Sequence, residues 1–151
     1  TARYFESVTL LRKHFENVAI TTDLIVGFPG ETEEEFAETL EFIKKCKFSA
    51  MHIFPYSIRE GTPAAKMDQQ ILKSIKETRA KIAADVSRVM KTEYLEEQLG
   101  KILSVLFEEN TGHSENYLEI TDKSCNHLSG ELVKMRIIGR NGDLLIGEPV
   151  E

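Results

Sequence analysis

Cysteine is scarce in this chain. Cys46 and Cys125 are the only two in 151 residues, far apart, with no C-x-x-C pair and no histidine at ligand spacing. That usage points away from a local metal site and toward free structural thiols in a reducing compartment. No run of about 18 apolar residues occurs, so no membrane-spanning helix is expected. The opening Thr1-Ala2-Arg3-Tyr4-Phe5-Glu6 lacks the apolar segment of a secretory signal, which makes the cytoplasm the expected location. It also lacks an initiator methionine, a first sign that the chain is part of a longer protein. G-x-G-x-x-G and Walker loops are missing, and no Ser/His/Asp or Cys/His arrangement is evident.

What is present is ordinary for a globular protein: 41% hydrophobic and 29% charged residues. A chain of this length buries roughly 68–70% of its unfolded surface, enough for a core without covalent staples. Charge is unevenly spread. Residues 95–151 hold five basic and eleven acidic residues, the whole net charge of −6, while residues 1–94 hold fourteen of each sign. An acidic second half is the wrong sign for simple phosphate neutralisation.

Residues 3–15 have helical spacing, with Tyr4, Val8, Leu11 and Phe15 as the apolar face. Val18–Val26 is rich in β-branched residues and reads as a buried strand ending at Gly27. Thr32-x-x-Glu35 is a capping box that opens a helix through Lys45, helped by Glu31, Glu33 and Glu34 at its positive end. Ser49–Phe54 reads as a second strand, stopped by Pro55. A long helix is expected over Gln70–Leu99, its apolar face formed by Ile71, Ile75, Ile82, Val86, Val89 and Leu95. Helices and strands in this order describe a parallel α/β sheet or barrel. Two strands cannot close a barrel or cover both sheet faces, so strands upstream of Thr1 are expected. After Gly100 come short strand candidates at Lys101–Phe107, Asn116–Thr121, Glu131–Ile138 and Asp143–Glu148. The breaks between them are Asn110-Thr111-Gly112, Ser129-Gly130 and Asn141-Gly142, the last a hairpin signal. These strands suggest a small antiparallel barrel.

In α/β folds the functional rim lies at the carboxyl ends of the strands. Two segments fall there: Gly27-Phe28-Pro29-Gly30-Glu31-Thr32, and Pro55-Tyr56-Ser57 through Arg59-Glu60-Gly61-Thr62-Pro63. The first is either a ligand-binding turn with close backbone approach or a well-capped strand-to-helix turn. Asp23, within an apolar strand, needs partners if buried: a ligand from the barrel interior, or structural hydrogen bonds. His52 is either a core residue or a catalytic one facing the same interior. Arg59 is either an anion clamp or a solvated loop charge.

Ile20 through Thr32 resembles the late strand and turn of the radical-SAM methylthiotransferases. His52-Ile53-Phe54-Pro55-Tyr56-Ser57-Ile58-Arg59-Glu60-Gly61-Thr62-Pro63-Ala64-Ala65 is similar to the next strand and loop of that family, most of all in the branch modifying threonylcarbamoyladenosine in tRNA. Residues 100–151, with Gly112-His113-Ser114-Glu115-Asn116-Tyr117, resemble its TRAM domain, an RNA-engaging β-barrel. The resemblance implies residues 1–99 as the C-terminal part of a radical-SAM partial TIM barrel with a linking helix, and residues 100–151 as an OB-like TRAM barrel. It implies a parent enzyme using S-adenosylmethionine and two 4Fe-4S clusters to add a methylthio group to tRNA. One cluster is held by C-x-x-x-C-x-x-C thiolates, which this sequence lacks, so an inactive fragment with no bound cofactor is expected. By position, Asp23, Gly27, Phe28, Pro29, Gly30 and Glu31 would lie near S-adenosylmethionine. Tyr56, Ser57 and Arg59 would face cofactor or substrate. Lys134, Arg136 and Arg140 would contact RNA, with stacking by Phe107 or Tyr117 as an added source of affinity. The incomplete barrel would offer a surface for self-association.

Two other readings stay open: part of a ribosomal-protein methylthiotransferase, and a non-catalytic RNA-binding module. The acidic β-module counts against the second.

Overall fold

The computed structural model describes residues 1–122 and 129–150. Cys125, expected as a free thiol, lies outside the described residues. The chain forms two compact units: Thr1–His14 with Ile20–Lys91, and Phe15–Ala19 with the described residues from Thr92 onward.

The first unit carries α1 (Ala2–His14), β1 (Thr21–Val26), α2 (Glu33–Cys46), β2 (Ala50–Pro55) and most of α3 (Lys73–Glu96). β1 and β2 pair in parallel, from Thr21 opposite Ala50 to Val26 opposite Pro55. Alternation along the strands sends Leu24, Val26 and Ile53 to one face, where they meet Phe36 and Leu40 of α2 and Ala80 and Ala83 of α3. The opposite face is bare: Ile25 is 54% exposed and Phe54 is 49% exposed. Asp23 shares that parity, so its side chain is exposed and not buried as its apolar neighbours suggest. α2 realises the capping box, with Thr32 Oγ1 accepting from the Glu35 amide and Glu35 Oε2 accepting from the Thr32 amide.

The apolar faces expected for two helices need correction. In α1 only Val8 is buried, while Tyr4 and Leu11 are exposed; Phe15, expected on the same face, lies past the end of the helix and is also exposed. In α3, Ile75, Ile82 and Val89 are exposed, and the packed side runs through Arg79, Ala80 and Ala83. Small alanines let the helix approach the sheet closely. The buried arginine is tolerated because it is paired.

The second unit is a closed barrel of β3 (Ile102–Glu108), β4 (Thr111–Ser114), β5 (Glu119–Asp122), β6 (Leu132–Asn141) and β7 (Leu144–Pro149), in the order β3-β4-β5-β7-β6. Leu103, Val105 and Phe107 of β3 meet Ile120, Met135, Ile137 and Leu145 in its core, with Leu95 from α3. The barrel is not wholly antiparallel: β5 and β7 pair in parallel. A closed ring with an odd number of strands cannot alternate direction all the way round, so one parallel pair is obligatory. β4 falls where a turn was expected. The turn is one step earlier, with Glu109 at φ 64°. Gly112 belongs to the strand, paired opposite Phe107, and the position takes glycine because a Cβ there would sit 2.6 Å from the Leu106 carbonyl oxygen. The β6–β7 hairpin also turns one residue later than expected, since Asn141 pairs with Leu144.

Candidate functional site

The rim turn after β1 is held from α3. Gly27 and Gly30 adopt φ of 68° and 86°, which few residues other than glycine accept. Glu31 folds back so that its Oε1 accepts the Gly27 amide at 3.0 Å and an Arg79 Nη1 hydrogen bond at 2.6 Å. Arg79 also donates to the Glu31 carbonyl at 3.0 Å and to Glu33 Oε1 at 2.6 Å. Its guanidinium lies 5.3 Å from the centre of the Phe36 ring. Burial alone would lower the Arg79 pKa. Its hydrogen bonds to Glu33 and Glu31 more than offset this and hold the guanidinium above its ordinary value.

The second rim loop is tied to the first by Lys76, one helical turn before Arg79. Lys76 Nζ donates to the Tyr56 carbonyl at 3.0 Å, and its stem fills the space a Cβ on Gly27 would occupy. Tyr56 donates its amide to the Val26 carbonyl at 2.8 Å, and its ring meets Phe28 edge-on at 5.3 Å between centroids. Phe28 and Tyr56, far apart in sequence, therefore form one surface at the carboxyl ends of β1 and β2. Lys76 and Arg79 are the residues that sequence reading missed. The available signal was a basic pair one turn apart beside two alanines, in a chain with an acidic run at 31–35.

The amides of the turn are already used: Gly30 N–H goes to the Gln69 carbonyl and Glu31 N–H to the Phe28 carbonyl. Glu31 is thus a structural clamp in this geometry. Asp23 is different. It lies opposite His52 on the bare sheet face, with Oδ1 3.9 Å from Nδ1 and both side chains 76% exposed. Ser57 and Arg59 are exposed on the second loop. Among the described residues, no group of three or more His, Cys, Asp or Glu is arranged to hold a metal. No helix of the described residues is long and apolar enough to cross a membrane.

On the barrel, Lys134 and Arg136 are exposed and two apart on β6, so both point outward. They lie opposite Ser104 and Ile102 of β3. Arg140 is engaged elsewhere: Nη2 pairs with Glu96 Oε1 at 2.8 Å and Nη1 donates to the Gly142 carbonyl at 3.0 Å. Phe107 is fully buried and has no free face for stacking, whereas Tyr117 is 88% exposed.

No protein-family model matches the chain. Curated relatives do. It is 38% identical over 149 residues to the threonylcarbamoyladenosine tRNA methylthiotransferase MtaB of Bacillus subtilis, covering 91% of this chain and 33% of that protein. It is 38% identical over 156 aligned positions to a tRNA-2-methylthio-N(6)-dimethylallyladenosine synthase of Clostridium botulinum strain Hall, covering 98% of this chain and 35% of the relative. A synthase of the same name from Desulforamulus reducens is 35% identical over 97% of this chain and 34% of its own length. The chain thus spans about a third of the curated relatives it matches. Over that span, the chain is homologous to the corresponding third of these relatives.

Proposed function

We propose that the chain is part of a radical-SAM tRNA methylthiotransferase acting on threonylcarbamoyladenosine in the cytoplasm, and that it supplies one wall of the cofactor pocket and a tRNA-contacting barrel. The observation that carries this reading is identity of 35–38% over nearly the whole chain to proteins named for methylthio modification of tRNA adenosines, one of them for threonylcarbamoyladenosine. The Phe-Pro-Tyr-Ser and Arg-Glu-Gly-Thr-Pro wording of residues 54–63 favours the threonylcarbamoyladenosine branch.

The bare face of β1 and β2 fits S-adenosylmethionine in kind. Asp23 offers a carboxylate to the cofactor's amino or hydroxyl groups, and the exposed Ile25 and Phe54 offer an apolar surface to its adenine. Bound to the parent enzyme, S-adenosylmethionine and its cluster supply the radical. Among the described residues, no group fits a 4Fe-4S cluster. In this reading Gly27, Phe28, Pro29 and Gly30 shape the pocket edge, and Glu31 fixes that edge by its bond to Arg79 without touching the cofactor. Tyr56 braces the edge through Phe28, while Ser57 and Arg59 face substrate. Lys134 and Arg136 contact tRNA phosphates. Arg140 secures the β6–β7 hairpin.

Calorimetric titration of S-adenosylmethionine into the full-length protein tests the pocket. Asp23→Ala is expected to weaken binding about tenfold or more, the loss of a charged hydrogen bond. Binding unchanged by the substitution rejects the assignment.

A further inference from the structure

We propose that Tyr117 is a stacking platform for an unpaired RNA base, acting together with Lys134 and Arg136 on the outside of the barrel. The inference rests on the reading that the barrel contacts tRNA.

Tyr117 lies in the short loop between β4 and β5 with φ 59°, the left-handed region that bulky L side chains rarely adopt. The loop does not need an aromatic to hold this shape. Tyr117 uses only its amide, which donates to the Ser114 carbonyl at 2.9 Å. The remaining bonds come from its neighbours. Leu118 N–H goes to Ser114 Oγ at 3.1 Å, Ser114 Oγ–H to Asn116 Oδ1 at 2.6 Å, and Asn116 Nδ2 to Tyr94 Oη at 2.9 Å. Glycine or asparagine would fit this backbone at lower cost. A ring that is 88% exposed gains no packing in return. A rigid loop that holds a tyrosine in an unfavourable conformation, with its ring in solvent, is a built display of that ring.

The loop is also fixed relative to the basic pair. Glu115 Oε2 accepts the Ser104 amide at 3.1 Å, and Ser104 is the register partner of Lys134. Ile102, two residues before Ser104, faces Arg136 in the same register. An exposed aromatic ring and two outward cations on one barrel suit single-stranded nucleic acid, where bases stack and phosphates pair with basic side chains. The acidic surplus of residues 95–151 argues against long tracking of a duplex backbone. Affinity must then come largely from stacking, which only an unpaired base offers. RNA is the polymer of choice because the relatives act on tRNA.

The test is fluorescence anisotropy of the 151-residue chain with a labelled RNA hairpin carrying an unpaired loop, at low salt, beside the same hairpin with an abasic loop. Tyr117→Phe should bind as wild type does. Tyr117→Gly should fold at least as stably, because the backbone suits glycine, yet lose roughly five- to hundredfold in affinity. The abasic hairpin should bind wild type as weakly as the intact hairpin binds Tyr117→Gly. Equal binding by wild type and Tyr117→Gly, with Lys134→Gln and Arg136→Gln weakened, overturns the role of Tyr117 and leaves the RNA surface standing. A wild-type chain that does not bind the hairpin even at low salt removes RNA from this barrel, and the inference falls with it.

Discussion

Arg79 Nη1 donates to Glu31 Oε1 at 2.6 Å, and the same oxygen accepts the Gly27 amide at 3.0 Å. One buried ion pair therefore sets both the path of the rim turn and its attachment to α3. Breaking such a pair strands a buried charge and costs about 3–5 kcal/mol. Arg79→Ala is predicted near the lower end, because Glu33 remains largely solvated. Urea denaturation of Arg79→Ala, Glu31→Ala and the double variant should give a double variant less destabilised than the sum. A cost under about 1 kcal/mol for Arg79→Ala would show that the pair does not hold the turn.

Gly112 and Gly142 separate two uses of glycine. A Cβ at Gly112 would meet the Leu106 carbonyl oxygen at 2.6 Å and Phe107 Cα at 2.9 Å, neither of which can move cheaply. At Gly142 a Cβ meets nothing within 4 Å and only the φ of 61° resists it. Gly112→Ala should therefore cost about 2–3 kcal/mol, and Gly142→Ala about 1 kcal/mol. Equal thermal midpoints for the two variants would contradict the close packing of β4 on β3.

Cys46 is fully buried, and burial raises its thiol pKa, with Arg12 and Lys45 partly opposing. The folded state thus holds the thiol proton more tightly than the unfolded state does. Its contribution to stability is complete below the ordinary thiol value of about 8.5 and is lost as pH rises through the folded value. Alkylation read by peptide mass spectrometry should leave Cys46 unmodified in the native chain at neutral pH and modify it fully in urea. Rapid native labelling would contradict its burial.

Ile25 and Phe54 expose an apolar face that two strands cannot cover. We propose that the isolated chain self-associates through this face as concentration rises, and that Phe54→Lys weakens the association. Sedimentation velocity checks this; a wild-type monomer at every concentration would contradict it.

The strand–turn–helix order was legible because glycines, a capping box and β-branched runs act locally. The β-module was legible from short strand candidates divided by turn residues, and the structure alternates Leu103, Val105 and Phe107 inward along β3. Other features depend on what lies across from a residue. The packing side of α3 was misread because Ala80 and Ala83 carry less hydrophobic weight than the exposed Ile75 and Ile82. Burial of Arg79 follows from two glutamates more than forty positions away. Asp23 looked buried because its neighbours are apolar, but the parity of β1 turns it to the open face. Of the proposed RNA contacts, sequence alone could not separate the outward Lys134 and Arg136 from Arg140, which Glu96 engages.

Nucleoside mass spectrometry of tRNA from cells lacking the gene that encodes this chain tests the proposed function most directly. The methylthio group should disappear from threonylcarbamoyladenosine, the unmethylthiolated precursor should accumulate, and the whole gene should restore the modification. Unchanged methylthiolation of tRNA in the deletion strain would contradict that function.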